Sequence, residues 1–359
     1  MTVCEYSKDH VVALLPLPDQ DANKYTRGKL TAVVGSARYP GAACLVAAAS
    51  QRMGAGYTEV VTDPSAVAGV RAFRPSLVVR SWDGWKPAAS VAARRLDSAP
   101  GLDVPPGLDA DCTDASAARS CSDAAPVSGA DFGPDSDSAP GSRLEFGPEP
   151  CLDTLFGTAC PEKPQAYVVG AGFDAEDQKT ASLVHAVLKH AGVPVLVDGG
   201  GLSALTTKKG QRLLRRRFLL GWPTVVTPHA GEASRLADVF GLPVDDQAEL
   251  ARLISLSFGV VAVVKGSDTF VSDGERTVLM SEGTPALAKA GTGDVLAGMI
   301  GALMAQGLAP FDAAVLGATL HARAGCEAAM RFTSIAVIAE DVLEAIPAAI
   351  RGLISLSEA

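Results

Sequence analysis

A Gly-Thr-Gly turn at residues 291–293 is followed at once by an acid, Asp294, and then by a long apolar run. Glycines let backbone N–H groups turn toward a ligand, and the free N–H groups at a helix N-terminus bind anions. A carboxylate there could take the proton of an attacking hydroxyl while the amides hold a transferring phosphoryl group. The helix dipole is expected to keep Asp294 charged. The alternative is a simple helix cap, but Thr292 already suits that role, so the pattern favours a phosphoryl-transfer site with Asp294 as its base.

Two further turns place ionisable side chains after apolar runs. In "TPHAGEASRL", His229 ends one such run and Glu232 lies in the first turn of the next helix. Ligand contact is favoured for His229, whereas capping of the helix and a role in the site both stay open for Glu232. In "VVKGSDT", Lys265 ends a buried run, where it could pair with nucleotide phosphates or extend to the surface as an ordinary lysine. The small-residue turns "GSARYPGAA" and "GAGFD" would let the backbone approach a ligand, or are merely tight connections.

The apolar runs around these turns indicate strands that alternate with helices. "LTAVVG", "YTEVVT" and "SLVVR" lie in the first part of the chain, and "AYVVGAG", "VPVLVDG", "PTVVTPH" and "VVAVVKG" lie in the second. Such near-continuous apolar strands, joined through helices, predict an α/β fold: a three-layer αβα sandwich with a mostly parallel central sheet. Right-handed crossovers then bring the polar turns to one edge of the sheet. "DTFVS" and "RTVLMS" predict an antiparallel hairpin.

The overall composition narrows the class of protein. A chain of 359 residues with 48% hydrophobic and 20% charged residues indicates a globular protein with a large core. The net charge of -9 argues against a general nucleic-acid binder, and the basic run at 212–218 is interpreted as a solvated helix end. No signal peptide is recognised, and no run is long enough to cross a membrane. Seven scattered cysteines suit a reducing cytoplasm.

Between about residues 97 and 164 the composition changes to Asp, Ala, Ser, Pro and Gly. Such a segment buries too little apolar surface to offset the entropy of ordering it, so it is predicted to be disordered. Its four cysteines are spaced more widely than is usual in zinc sites, and incidental thiols are favoured over a metal or redox role. The chain 1–359 is therefore predicted to be a single domain that this insert interrupts.

Several motifs, in a fixed order, carry a resemblance to a known family. They are "NKYTRGKLTAVVGSARYPGAA", "VVGAGF", "VLVDGGGLSAL", "VVTPHAGEASRL", "VVAVVKGSDTFV", "ALAKAGTGDVLAG" and a tail with "HARAGCEAA" and "IAEDVLEAIP". Over nearly all of residues 10–351 outside the insert, the chain resembles the ADP-dependent NAD(P)H-hydrate dehydratases of the ribokinase-like superfamily. The Thr-Pro-His-x-Gly-Glu and Gly-Thr-Gly-Asp turns are specific in combination.

The resemblance implies a repair reaction on hydrated NADH or NADPH (NADHX or NADPHX). ADP phosphorylates the hydroxyl of the hydrated ring, because phosphate leaves far better than hydroxide, and elimination of phosphate by this lyase restores the reduced cofactor. Magnesium is expected to screen the phosphates, and Asp294 is the implied catalytic base. The residues implied to contact the hydrate are Ala42 or Ala43, Gly172, His229 and Asp294. Those implied to hold the nucleotide are Lys265, Gly266, Ser267, Asp268, Thr269, Gly291, Thr292 and Gly293.

The chain departs from the family pattern at one turn. Family members often carry a second acid where this chain has Gly200, in "DGGGL", so any role of that carboxylate is absent here. Many relatives carry an epimerase domain in front, which is not recognised in this sequence, so a separate epimerase is the expected pathway partner. Relatives also form symmetric assemblies, and a homo-oligomer such as a tetramer is expected.

Two alternatives to the dehydratase stay open at this stage. One is a sibling kinase that phosphorylates a vitamin-precursor alcohol, such as hydroxymethylpyrimidine or hydroxyethylthiazole, and stops there. The motifs "TPHAGE" and "VVKGSDT" favour the dehydratase over this kinase. The other is a degenerate relative that serves only as a binding or scaffold protein, against which the intact Lys265 and Asp294 argue.

Overall fold

The computed structural model describes residues 3–4, 6–88 and 164–355. Apart from Pro164, the insert predicted at about 97–164, with its four cysteines, lies outside the described residues. Within these ranges, no helix has both the length and the apolar character that crossing a bilayer would require.

Ten strands form one sheet whose neighbours are mostly parallel. In chain order the strands are β1 (Val3–Cys4), β2 (Lys29–Val33), β3 (Tyr57–Thr62), β4 (Val78–Ser81), β5 (Ala166–Val169), β6 (Val195–Val197), β7 (Thr224–Val226), β8 (Val261–Val264), β9 (Thr269–Ser272) and β10 (Thr277–Met280). Their order across the sheet is β1-β10-β9-β8-β7-β6-β5-β2-β3-β4. The strands β2 to β8 pair in parallel, whereas β9 is antiparallel to both β8 and β10, which confirms the predicted sheet and hairpin.

The order of the strands reverses at one point in the sheet. The chain runs outward from β2 through β3 to the edge strand β4, and then returns to the other side of β2 as β5. From there it continues away from β2 through β6, β7 and β8. Ligands of open α/β sheets bind outside the carboxyl ends of the strands at such a switch point. A ligand site is therefore expected at the loops that follow β2 and β5.

Helices cover both faces of the sheet. In chain order they are α1 (Lys8–Ala13), α2 (Pro40–Arg52), α3 (Val67–Phe73), α4 (Gln178–His190), α5 (Lys208–Leu219), α6 (Ala230–Asp238), α7 (Gln247–Phe258), α8 (Thr292–Ala305), α9 (Pro310–Ala336) and α10 (Ala339–Ser355). Short 3-10 helices span Gly199–Thr206 and Pro285–Leu287. One hydrophobic core contains α2, α8, α9 and α10, and a second contains α4 to α7.

Alternation along the strands explains why both cores form. In β2, Ala32 belongs to the first core and Val33 to the second, and in β5 Val168 and Val169 divide in the same way. Successive side chains of a strand point to opposite faces, so a sheet that is covered on both sides needs continuous apolar runs. The three-layer sandwich predicted from those runs is confirmed.

The basic run at 212–218 is only partly a solvated helix end. Arg212 and Arg215 are exposed on α5, but Arg217 is 1% exposed and is among the largest fully buried side chains. Its guanidinium donates hydrogen bonds to the hydroxyl of Thr224 and to the carbonyl oxygens of Leu188, Ala191, Val193 and Pro223. Burial lowers the pKa of Arg217 to about 9, which leaves the side chain charged at neutral pH. Arg217 thus joins three segments of the second core.

Candidate active site

The Gly-Thr-Gly turn forms the N-terminus of α8. Gly291 adopts a left-handed conformation with φ of 92°, and the helix begins at Thr292. The Thr292 hydroxyl does not cap the helix, as the sequence suggested, because it donates to the carbonyl oxygens of Leu287 (2.8 Å) and Lys289 (2.9 Å). The first-turn amides of a helix have no acceptor within the helix. The side chain therefore stabilises the turn, and no N-cap side chain accepts from the amides at the head of α8.

Lys265 lies beside this helix N-terminus. A Cβ added to Gly293 would stand 3.2 Å from the Lys265 Nζ, so the glycine makes room for the ammonium group. The Nζ donates to Asp198 Oδ1 at 3.0 Å, and the same oxygen accepts the Thr227 hydroxyl at 2.5 Å. The Lys265 side chain is only 21% exposed, so it does not extend to the surface as an ordinary lysine. Strands β6 and β8 thus bring Asp198 and Lys265 together at the carboxyl edge of the sheet.

Burial and the charges of Asp198 and Lys265 shift the pKa of Asp294. Burial and then the negative charge of Asp198 raise the pKa of Asp294 to about 7, although Lys265 lowers it. Burial lowers the pKa of Lys265, but the carboxylates of Asp198, Glu232 and Asp294 together raise it by more. The ammonium form of Lys265 is therefore favoured. The expectation that the helix dipole keeps Asp294 fully charged is therefore wrong, because protonated and ionised forms coexist near pH 7. A pKa close to the working pH is what a general base needs.

His321, on α9, contacts the same turn, and no local sequence pattern predicts this contact. Its Nε2 lies 2.9 Å from the carbonyl oxygen of Thr292, and a carbonyl can only accept, so Nε2 carries the proton. Burial lowers the pKa of His321 to about 4, which keeps the imidazole neutral. Asp198 is the first residue of the "DGGGL" turn. Its pairing with Lys265 depends on the sheet order and cannot be read from either segment alone.

In the turn after β7, Glu232 and His229 cap helix α6, and the His229 side chain is exposed. Glu232 accepts the backbone N–H of His229 at 2.9 Å, and His229 Nδ1 accepts the N–H of Gly231 at 3.1 Å. This reciprocal pair is a capping box at the start of α6, so the capping role left open for Glu232 is the one seen. The His229 side chain is 59% exposed, although its Nε2 also lies 3.4 Å from Glu232 Oε1, so a ligand can reach the exposed part of the ring.

A cavity of about 840 Å³ opens over the carboxyl edge from β2 to β7. This volume lies within the range usual for ligand pockets, roughly 300–1,000 Å³. Of the residues predicted to contact substrate, Gly172 and His229 line it, and Ala290 brings the Gly-Thr-Gly turn to its wall. The remaining lining residues are Arg38, Tyr39, Phe173, Asp174, Ala175, Gly199, Gly200, Leu202, Ser203, Thr206, Glu232, Arg235, Leu236 and Asp238.

The other predicted residues lie near the cavity or to one side of it. Ala43 is fully buried in the first core, so it stands behind the site, whereas Ala42 is 6% exposed and packs against Gly172. Residues 266–268 lie in the turn between β8 and β9, exposed and outside the cavity wall, and Thr269 begins β9. Their role in nucleotide binding stays a prediction.

Backbone packing explains the glycine at position 200. A Cβ added to Gly200 would lie 2.2 Å from the carbonyl oxygen of Phe173 and 3.1 Å from the amide nitrogen of Ala175. The loop after β5 therefore rests directly on the 3-10 helix after β6. No larger side chain fits at this position unless that loop moves, so the second acid of the family pattern has no room here.

We expect Gly200→Ala to destabilise the fold by about 1–3 kcal/mol, since an added methyl group forces the backbone at Phe173 to shift. The loop after β5 lines the cavity, so ligand affinity should fall as well. Urea unfolding measures the first effect. The matched control is Gly352→Ala in α10, where a Cβ meets nothing within 4 Å and helix propensity predicts a gain of roughly 0.5–1 kcal/mol. Equal stability of the Gly200→Ala protein and the wild type would contradict the packing.

Comparisons with known proteins agree with this geometry. A bifunctional NAD(P)H-hydrate repair enzyme of Salinibacter ruber is 32% identical over 94% of this chain and 51% of its own length. An ADP-dependent (S)-NAD(P)H-hydrate dehydratase of Xanthomonas campestris is 28% identical over 92% of this chain and 91% of its own length. The chain spans between 32% and 58% of the length of the first four curated relatives.

A solved structure supports the fold. The ADP/ATP-dependent NAD(P)H-hydrate dehydratase of Bacillus subtilis, co-crystallised with ATP and Mg²⁺, superimposes with a TM-score of 0.68. The alignment covers 98% of this chain and 99% of that one, at 23% identity. A ribokinase-like superfamily protein of Enterococcus faecalis gives a TM-score of 0.66, so the fold class is confirmed as ribokinase-like. The model of the NAD(P)H-hydrate dehydratase family (Carb_kinase) matches residues 153–348, more than half of the chain, which therefore belongs to that family.

Proposed function

We propose that this protein catalyses the ADP-dependent dehydration of (6S)-NAD(P)H hydrate to NAD(P)H. The observation that carries the proposal is the convergence of Asp294 and Lys265 at the amide-lined head of α8, beside a cavity large enough for a dinucleotide. A base, a cation and free backbone amides are the parts that phosphoryl transfer to an alcohol requires.

The chemistry divides into two steps. Asp294 takes the proton of the ring hydroxyl, the oxygen attacks the terminal phosphorus of ADP, and the bond from that phosphorus to the bridging oxygen breaks to release AMP. The ring nitrogen then expels phosphate from the neighbouring carbon, and loss of a proton from the next carbon restores the double bond. NAD(P)H, AMP and phosphate are the products. Lys265 and the amides at the head of α8 stabilise the negative charge on the phosphoryl group.

Magnesium would take part in this reaction as an ion bound to the nucleotide. In the described part of the chain, no group of three or more His, Cys, Asp or Glu side chains could hold a metal ion. Magnesium usually keeps several waters and binds through substrate phosphates with few protein carboxylates. The phosphates of ADP would therefore hold most of the ion, and it would screen their charge from the attacking oxygen.

The test is to incubate the purified protein with NADH hydrate, ADP and Mg²⁺. The absorbance of reduced nicotinamide should return, with AMP and phosphate formed in equal amounts to NADH. Parallel reactions with ATP show which nucleotide is the donor. Failure to regenerate NADH, together with formation of a stable phosphate ester of a vitamin-precursor alcohol, would replace the proposal by the sibling kinase.

The pH dependence of this reaction should follow Asp294. The rate is expected to rise with pH through about 7, because the carboxyl must lose its proton before it can act as a base. Asp198→Asn should move this rise to lower pH, since it removes a charge that raises the pKa of Asp294 and leaves Lys265 to act on Asp294 alone. The measurement is kcat from pH about 5 to about 9. Asp83→Asn, at an exposed ion pair with Lys179, is the control that should not move the curve.

A shift of the Asp198→Asn curve to higher pH, or no shift, would show that Asp198 does not control the ionisation of Asp294.

The other parts of the proposal rest on the family resemblance. They are a separate epimerase that supplies the (6S) form, a cytoplasmic location and assembly into a homo-oligomer such as a tetramer. Light scattering of the purified protein tests the last of these.

A further inference from the structure

Within the described part of the chain, the wall of the cavity contains one arginine that has no hydrogen-bond or ion-pair partner. Arg235 on α6 lines the cavity with an exposed side chain, and it forms neither a hydrogen bond nor an ion pair with any residue in the described ranges. It lies one helical turn after Glu232, so both face the cavity, but Glu232 is used by the cap of α6. A cation that faces a cavity without a partner is available to an anionic ligand.

The second arginine of the wall is already engaged. Arg38, in the loop after β2, lies 3.8 Å from Asp174 and stacks on Tyr39, with 5.2 Å between its guanidinium and the centre of the ring. Arg38 and Arg235 are the two residues with a permanent positive charge among those that line the cavity within the described chain. The free positive charge of the wall is therefore at Arg235.

The sheet order sets the distance between the two walls. The loop after β2 and helix α6 after β7 are separated by three strand steps, through β5 and β6. At about 4.8 Å per step, the walls stand roughly 14 Å apart. The reacting ring must lie near Ala290 and the head of α8, where Asp294 is. The rest of a dinucleotide can then extend toward α6, across the floor formed by residues 172–175 together with Gly199, Gly200, Leu202, Ser203 and Thr206.

We propose that Arg235 binds the diphosphate of the nicotinamide dinucleotide and so makes the cavity selective for dinucleotides over mononucleotides. This inference rests on the proposed function and names a contact that holds the hydrate. A diphosphate is the permanently anionic part of such a ligand, and a guanidinium binds phosphate oxygens through two parallel hydrogen bonds. The Arg235 side chain would orient the ligand without taking part in phosphoryl transfer.

The test measures binding of NADH, the product, to the ADP-saturated protein by calorimetry, so it does not depend on turnover. Arg235→Met should raise the Kd for NADH about tenfold or more, as expected when a charged hydrogen-bond donor is lost. Arg235→Lys should recover part of the affinity. The Kd for ADP should stay unchanged, and that for reduced nicotinamide mononucleotide should change less than that for NADH. In turnover, the KM for the hydrate should rise while kcat stays close to that of the wild type.

Arg351→Met is the matched control, because Arg351 is exposed on α10 and does not line the cavity. Equal NADH affinity in the Arg235→Met and wild-type proteins would overturn the role of Arg235 and leave the proposed function standing. An equal loss of ADP and NADH affinity would place Arg235 in the nucleotide site instead. A wild-type protein that binds ADP but no NADH would overturn both proposals.

Discussion

Replacing Asp294 with Asn should lower kcat about 10²-fold or more, as for the loss of a general base, while the Kd for ADP stays nearly unchanged. The amide has the size and hydrogen-bonding reach of the carboxylate but cannot accept the proton of the ring hydroxyl. It also removes negative charge from the head of α8, so ground-state binding of an anionic nucleotide should not suffer. Steady-state turnover of NADH hydrate and calorimetry with ADP measure the two quantities.

A matched control separates catalysis from helix capping. Asp294 is the third residue of α8, and Asp312 is the third residue of α9. If an acid acts only as a cap, its loss removes a favourable interaction with the helix dipole, which is worth roughly 0.3–1 kcal/mol of stability. Asp294 should not show this loss at neutral pH, because its raised pKa means that folding disfavours its charged form. Asp312→Asn should therefore cost a little stability and leave kcat unchanged. If Asp294→Asn behaves in the same way as Asp312→Asn, then Asp294 is a cap and the proposed mechanism is wrong.

The largest effect on stability is expected from Arg217→Met, which should lower the free energy of unfolding by more than about 3 kcal/mol. Methionine fills much of the volume but donates no hydrogen bond, so four carbonyl oxygens lose the bond from Arg217. Of these, the oxygen of Pro223 keeps the N–H of Val195 as a donor. A buried polar group without a partner costs about 1–3 kcal/mol. Urea unfolding followed by circular dichroism measures the change.

Arg215→Met is the control for this change, because Arg215 lies two residues away on the exposed side of α5. Its substitution should stay within about 0.5 kcal/mol of the wild type, as surface changes usually do. If the two variants prove equally stable, the buried hydrogen bonds of Arg217 contribute nothing net. The basic run would then be what the sequence suggested, a set of equivalent surface charges.

The sequence was informative wherever local pattern decides the structure. "YTEVVT" coincides with β3, and "DTFVS" and "RTVLMS" contain the antiparallel strands β9 and β10. Continuous apolar runs of this kind have few solutions other than strands that are buried on both faces. The order of Gly-Thr-Gly and Asp294 before an apolar run likewise predicted the head of α8, because free amides at a helix start are a local property.

The errors came from partners that lie far away in the chain. Arg217 reads as a surface charge because three of the carbonyls that accept its hydrogen bonds, from Leu188 to Val193, lie 24 to 29 positions earlier in the chain. Asp294 reads as a charged residue at a helix start because the burial and the Asp198 charge that raise its pKa belong to the assembled site. Folding brings these distant groups together, and no short window of sequence contains Arg217 with Leu188, or Asp294 with Asp198.

The site residues that follow from the fold class could be predicted from the sequence, whereas those that depend on distant contacts could not. Gly172 and His229 line the cavity because the ends of parallel strands must meet at one edge, which follows from the fold class. The choice between Ala42 and Ala43 could not be made from sequence, since it depends on which face of α2 packs into the first core. Arg235 could not be predicted as a ligand contact, because a single arginine in a helix does not indicate a binding site until the cavity beside it is known.

The central pair of the sheet has a consequence for synthesis on the ribosome. Strands β2 and β5 are direct neighbours, yet the hydrogen-bonded residues Lys29 and Gln165 beside them are 136 positions apart. At a translation rate of 5–20 residues per second, roughly 7–27 seconds separate the emergence of the two strands. During that interval β2 has an unpaired edge, which can join strands of other chains. The nascent first part of the chain thus keeps one open β-edge until residue 166 and beyond have left the exit tunnel.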